Sequence, residues 1–261
     1  MSNAPVKAPI RPFLGPKLKI ERAYSHLAEI ERELAGFWKS HPYHFLIGKH
    51  QGANEISIMC MINSSTARFS CVVGDIIHNL RSALDHLASD LVAISGGNIK
   101  RAYFPTGKDV AGFKSATKNK IEDAGASPEA VAAIQRLETH ATGNGAIRRL
   151  HDLDIIDKHS TIVTLASIHS IERLGARYGE TYVALPNFKI SSQGDVVTIT
   201  VPVPTDIGIG DLKIDKDFQA TPSIVFDKGQ PFESESVIPT LRQLAQFIEE
   251  VVSGFAAKFG S

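Results

Sequence analysis

The sequence is poor in cysteine, in charge of one sign and in long apolar runs. Its two cysteines, Cys60 and Cys71, fit no disulfide framework or zinc motif among 261 residues. Basic and acidic residues balance at 28 each, so no excess charge favours broad binding to nucleic acid or to an anionic membrane. No apolar stretch approaches the roughly 18 residues that span a bilayer. These absences predict a cytoplasmic protein that has neither DNA nor a membrane as its partner.

The spacing of apolar residues predicts a mixture of helices and strands. Recurrence at three and four residues predicts helices over 20–38, 66–94, 128–137, 146–159 and beyond, and 236–259. Alternation predicts strands over 43–47, 55–62, 182–190, 196–203 and 223–226. We therefore predict an α+β fold in which long amphipathic helices pack with antiparallel β-hairpins in a single domain.

The predicted organisation is an arm followed by that domain. Closely spaced prolines fix φ and remove amide donors, so residues 1–17 are expected to be extended and lack the apolar core of a signal peptide. The domain is expected to cover residues 18–261. Its parts are a polar helical unit at 64–165 (with a polar surface loop at 98–120), a β-rich part at 180–230 and a C-terminal helix at 236–259.

The helix predicted over 66–94 has one apolar and one polar face. The apolar face is continuous and consists of Val73, Ile76, Leu80, Ala83, Leu84, Leu87 and Leu91. The polar face carries His78, Asn79, Arg81, Ser82, Asp85, His86, Ser89 and Asp90. It lacks the lysine and glutamate that usually cover a solvated face, and its residue types make short, directed contacts. We expect another helix, a second subunit or a ligand to cover it.

A second segment of similar composition lies at 148–159. On a helix, one of its faces holds Arg148, Asp152 and His159 and another holds His151, Asp154 and Lys158. If the two helices pack together, histidines of the first meet carboxylates of the second. Such a cluster allows three roles, which are acid–base catalysis, metal binding and a satisfied structural network.

The metal role has the weakest pattern. Asp85, His86, Asp157 and His159 are ligand types that suit a transition metal. Their spacing does not match the H-E-x-x-H motif, and adjacent residues of a helix point apart. We therefore predict no metal and no cofactor.

Arg81 and His86 are separated by four residues. This arrangement resembles the R-x4-H signature of HEPN (higher eukaryotes and prokaryotes nucleotide-binding) domains, many of which are ribonucleases that dimerise to build one site. The resemblance implies metal-independent RNA cleavage, with Arg81 holding the phosphate and His86 acting as acid or base. Ser82 departs from the Asn, Asp or His that usually follows the arginine, and the family is all-helical.

A longer stretch is similar to a widespread group of bacterial and phage-encoded proteins with no settled activity. The shared features are the L-R-x-x-L-D-H-L helix at 80–87, a downstream D-K-H segment at 157–159, and Tyr103-Phe104-Pro105 between them. The resemblance implies that the two polar segments belong to one unit.

The leading hypothesis is a HEPN-like ribonuclease or RNA-binding protein of the toxin or phage-defence type, acting as a homodimer. The candidate catalytic residues are Arg81, His86, Asp85, His78, His159 and Asp157. The alternative is a non-catalytic interaction or structural protein, in which the same side chains form a buried polar network. A metal-dependent hydrolase is a third hypothesis.

Overall fold

The computed structural model describes residues 11–40, 43–49, 55–62, 66–162, 164–173, 175–178, 181–184, 189–193, 196–202, 212–214 and 219–260. The helices among them are α1 (Leu14–Lys39), α2 (Ala67–Ile94), α3 (Val110–Thr117), α4 (Pro128–Gln135), α5 (Gly145–His159) and α6 (Val237–Phe259). The strands are β1 (Tyr43–Lys49), β2 (Glu55–Ile62), β3 (Thr164–Arg173), β4 (Gly175–Tyr178), β5 (Thr181–Ala184), β6 (Lys189–Gln193), β7 (Val196–Pro202), β8 (Leu212–Ile214) and β9 (Gln219–Phe226).

All the described strand pairs are antiparallel. They form sheets in the orders β1-β2-β7-β6, β3-β9 and β5-β4-β8. Helices packed with antiparallel sheets are the predicted α+β fold, which is confirmed. None of the described helices combines the length and the apolar character needed to cross a membrane.

Helix α2 lies at the centre of the helical core. It contacts α1, α5 and α6, and these contacts leave every residue of its predicted apolar face at most 1% exposed. Each fully buried leucine or isoleucine contributes about 1.5–3 kcal/mol relative to an exposed one. The face was therefore predicted correctly, and its burial fixes how α2 is rotated about its own axis.

The sheet of β3 and β9 is joined to this core at the start of α2. Thr66 directly precedes α2 and is buried, and its hydroxyl donates a hydrogen bond to the carbonyl of Thr164. The hydroxyl of Thr164, which is also buried, donates in return to the carbonyl of Thr66 over 3.3 Å. Each of the two buried hydroxyls thus donates a hydrogen bond to the backbone carbonyl of the other threonine.

Three predicted boundaries are wrong. Helix α1 begins at Leu14, inside the predicted arm, because Pro16 occupies the first turn, where an amide hydrogen would have no helical partner. The predicted loop at 98–120 contains α3, whose first turn is capped by Asp109 as it accepts the Gly112 amide over 2.7 Å. Helix α5 ends at His159 and is followed by β3, which the sequence did not indicate.

The predicted strand at 182–190 is also wrong. Strand β5 pairs with β4, whereas β6 pairs with β7 in a different sheet, so the segment contributes to two sheets. Of the predicted arm, residues 1–10 lie outside the described residues.

Gly74 leaves room beside α2 for the carboxylate of Asp157 in α5. A Cβ atom at this buried position would overlap that carboxylate. Glycine therefore lets the Asp157 side chain lie directly against the α2 backbone.

We expect Gly74→Ala to lower the free energy of unfolding by about 1–3 kcal/mol, because the added methyl group must displace the partly buried Asp157 carboxylate from its place against α2. The matched control is Gly36→Ala in α1, where a Cβ meets nothing within 4 Å and is expected to be neutral or to stabilise by up to about 1 kcal/mol. Urea denaturation measures both. Equal effects of the two substitutions would contradict the close contact.

Candidate functional site

The first polar cluster, which we call the His78 centre, joins α2 to α5. Nδ1 of His78 lies 3.2 Å from Oδ1 of Asp154, and Nζ of Lys158 donates to Oδ2 of the same carboxylate over 2.5 Å. The Asp154 side chain is 2% exposed, whereas those of His78 and Lys158 are about half exposed. A buried carboxylate thus holds a histidine and a lysine at the protein surface.

The contact between His78 and Asp154 orients the imidazole. A carboxylate facing Nδ1 favours the tautomer that carries its proton there, which leaves the lone pair of Nε2 free to accept a proton. The hydroxyl of Ser82, one turn further along α2, lies 3.4 Å from Nε2. The His78 centre therefore presents an oriented base on an accessible surface.

Asp157 adds a second carboxylate to the His78 centre. Burial raises the pKa of its carboxyl group, and the charges of Asp154 and Asp75 raise this pKa further, against the opposing charges of His78 and Lys158. Crowded carboxylates of this kind are frequent at functional sites.

The second cluster, which we call the Arg81 network, lies about one turn further along α2 and also joins this helix to α5. The Nε–H of Arg81 donates to Nδ1 of His151 over 3.2 Å, and Nη2 donates to the carbonyl of Phe104 over 3.0 Å. Nη1 lies 2.7 Å from Oδ1 of Asp85, and that oxygen also accepts the Phe104 amide over 2.9 Å. Arg81 is only 5% exposed and ties together α2, α5 and the chain at Phe104.

Nη1 of Arg81 is buried and makes no hydrogen bond within the described residues, so its contact with Asp85 is an ion pair. The attraction between two charges depends on their distance more than on direction. The guanidinium group also acts on its neighbour: burial lowers the pKa of His151, and the charges of Arg81 and Arg148 lower it further, with Asp152 and Asp154 opposing.

His86 is separate from both clusters. Its ring packs against the first turn of α1, where a Cβ at Gly15 would lie 2.7 Å from Nδ1. Nearby, Asp90 accepts the Phe13 amide over 2.8 Å. His86 is exposed, so a ligand has access to it.

The structure thus divides the predicted site residues into groups. His78 and Asp157 belong to the His78 centre, Arg81 and Asp85 to the Arg81 network, and His86 to the contact with α1. His159 is exposed in the last turn of α5 and takes no part in the described contacts of the His78 centre. The expected meeting of both polar segments occurs, but through Asp154 and His151.

Asp154 and His151 were not among the predicted catalytic residues. A signal for Asp154 was present in the sequence, since it follows Ile147 and Leu150 at spacings of seven and four and therefore lies on the buried face of α5. A carboxylate on an apolar face requires a partner from a neighbouring element.

A basic cavity of about 620 Å³ lies at the other end of α5. Its lining includes Lys108, Arg148 and Arg149. Arg148 is held by both oxygens of Asp152, over 3.0 and 2.5 Å, and Arg149 is paired with Glu235 over 2.9 Å. Their charge is largely compensated within the protein.

Within the described ranges, no three His, Cys, Asp or Glu side chains are grouped closely enough to hold a metal ion. Comparison of the chain with protein-family models, with curated proteins and with solved structures found no match. The geometry of the two clusters is therefore the basis for assigning a function.

We expect Arg81→Met to lower the free energy of unfolding by about 3 kcal/mol, because it leaves Asp85 and the Phe104 carbonyl without their cation. Arg242→Met is the matched control, since Arg242 pairs with Glu31 where both side chains are more than a third exposed, and it should cost less than about 1 kcal/mol. Denaturation monitored by circular dichroism measures both. If Arg81→Met were as stable as the wild type, the Arg81 network would contribute nothing to the free energy of unfolding.

Proposed function

We propose that this protein is a metal-independent ribonuclease and that the His78 centre performs the chemistry, in place of the R-x4-H pair of a HEPN-like enzyme. The observation that carries the proposal is the 3.2 Å contact between His78 and the buried Asp154, which aims Nε2 at a surface half open to solvent. An imidazole oriented by a carboxylate is an efficient general base.

RNA suits this centre because it supplies its own nucleophile. Nε2 of His78 would remove the proton of a ribose 2′-hydroxyl, whose oxygen then attacks the adjacent phosphorus. Lys158 would offset the negative charge that develops on the phosphate. The bond from phosphorus to the 5′-oxygen then breaks, and that oxygen takes a proton from water. Cleavage would leave a 2′,3′-cyclic phosphate on the upstream fragment and a 5′-hydroxyl on the downstream fragment.

The proposal differs from the R-x4-H prediction in its residues. Arg81, the expected phosphate clamp, is 5% exposed and engaged by His151, Asp85 and the Phe104 carbonyl, so binding a phosphate would require it to leave these partners. We therefore give Arg81 the role of positioning α2 against α5. The toxin or phage-defence context remains part of the proposal on the strength of the resemblance alone.

A second candidate function is protein interaction, including association with a second copy of the chain. Leu14 and Leu18, on either side of Gly15 in α1, are 40% and 53% exposed. These exposed leucines and the exposed His86 place an apolar patch next to polar side chains, and protein interfaces combine an apolar core with a polar rim. In a homodimer of the kind that the HEPN resemblance implies, this patch would be the contact between copies.

We expect purified protein to cleave a mixed-sequence single-stranded RNA in the presence of EDTA, and His78→Gln to slow cleavage at least about 100-fold. His86→Gln is the matched control on the same helix and should cleave at the wild-type rate. Denaturing gels and mass spectrometry of the product ends measure rate and chemistry.

Loss of cleavage in His86→Gln with normal cleavage in His78→Gln would place the chemistry at the R-x4-H motif instead. Intact RNA with folded wild-type protein would overturn the ribonuclease proposal. A dimeric mass in light scattering would then favour the interaction function.

A further inference from the structure

Ser82, His78 and Asp154 lie in a row. The hydroxyl of Ser82 is 3.4 Å from Nε2 of His78, and Nδ1 of the same ring is 3.2 Å from Asp154. Each atom thus faces the partner that a serine–histidine–aspartate relay requires, with the nucleophile at one end and a buried carboxylate at the other.

We propose that Ser82 is an activated nucleophile that forms a covalent intermediate with activated carboxylic esters. The inference depends on the same contact between His78 and Asp154 as the ribonuclease proposal, but it does not require RNA to be a substrate. It gives the protein a second activity of the acyl-transfer class.

The reaction begins with attack of Ser82 Oγ on the ester carbonyl carbon while Nε2 takes the hydroxyl proton. The bond from carbon to the leaving oxygen then breaks, and the imidazolium gives its proton to that oxygen. The product is an acylated Ser82 and a free alcohol, and no oxidant, reductant or metal is needed. Water activated by the same imidazole would later hydrolyse the acyl group.

The surroundings of Ser82 predict slow turnover. Ser82 lies in the interior of α2, where backbone amides are engaged in the helix and are not free to form an oxyanion hole. Lys158, bonded to the other oxygen of Asp154, is the cation of the cluster. Removal of one oxyanion donor costs other hydrolases about 100- to 1,000-fold in rate. We therefore expect stoichiometric acylation followed by slow release.

The surface around Ser82 is open enough for a small ester to reach its hydroxyl. Its side chain is partly exposed, and the neighbouring His78 side chain is 50% exposed. An open helix surface of this kind does not enclose an acyl chain. The chemical reactivity of the ester, rather than the shape of its acyl chain, should therefore select the substrate.

The experiment uses a fluorophosphonate probe on the full-length protein, since phosphonylation requires an activated serine and replaces the fluoride on phosphorus with Oγ. We expect one probe per chain by intact mass, located on Ser82 by peptide mapping. Ser82→Ala should abolish labelling, and His78→Gln should slow it at least about 100-fold.

Ser89→Ala is the matched control, because the Ser89 hydroxyl lies on the same helix but donates to the Asp85 carbonyl over 3.0 Å rather than to an imidazole. It should label at the wild-type rate. Circular dichroism establishes that His78→Gln is folded before its labelling is compared with that of the wild type. Equal labelling of wild type and folded His78→Gln would overturn the relay.

Different results would overturn the ribonuclease proposal and the Ser82 proposal. An unlabelled wild-type protein that cleaves RNA overturns the nucleophile and leaves the ribonuclease. A labelled wild-type protein that leaves RNA intact supports the nucleophile and overturns the ribonuclease.

Discussion

The buried carboxylate of Asp154 is the constraint on which the site depends. Its side chain is 2% exposed, and a carboxylate removed from water is costly unless charged or hydrogen-bonding partners surround it. His78 and Lys158 supply these partners from two helices. The same contact that satisfies Asp154 therefore fixes the ring of His78 and the rotation of α5 against α2, so packing and chemistry have a common origin.

Helix α2 carries two clusters with different physical characters. In the Arg81 network, Arg81 itself is almost fully buried and links three parts of the chain, which suits a positioning role. The His78 centre is buried at the carboxylate and open at the imidazole, which suits chemistry on a ligand. Gly74, one turn before His78, lets Asp157 approach the α2 backbone and completes the joint between the helices. By fixing how α2 packs against α5, the Arg81 network thus helps to hold His78 in its position beside Asp154.

The sequence predicted the local features and missed those that depend on how elements pack. The apolar face of α2 followed from a spacing of three and four, and its burial confirmed it. The pairing of His78 with Asp154 did not follow, because the two residues are 76 positions apart in the chain and their contact depends on how two helices are rotated against each other. Arg81 was predicted as a phosphate-binding residue from its place in the R-x4-H pattern. Its internal partners His151 and the Phe104 carbonyl are non-local, as is the sheet pairing of β3 with β9.

The most direct test of this account is the tautomer of His78 in the folded protein. Nitrogen chemical shifts of the imidazole, measured by ¹⁵N-edited NMR at a pH where the ring is neutral, distinguish a proton on Nδ1 from one on Nε2. The contact with Asp154 predicts the Nδ1–H form for His78, in contrast to the Nε2–H form that a freely solvated imidazole prefers. An Nε2–H tautomer at His78 would show that Asp154 does not orient the ring and would contradict both proposed activities.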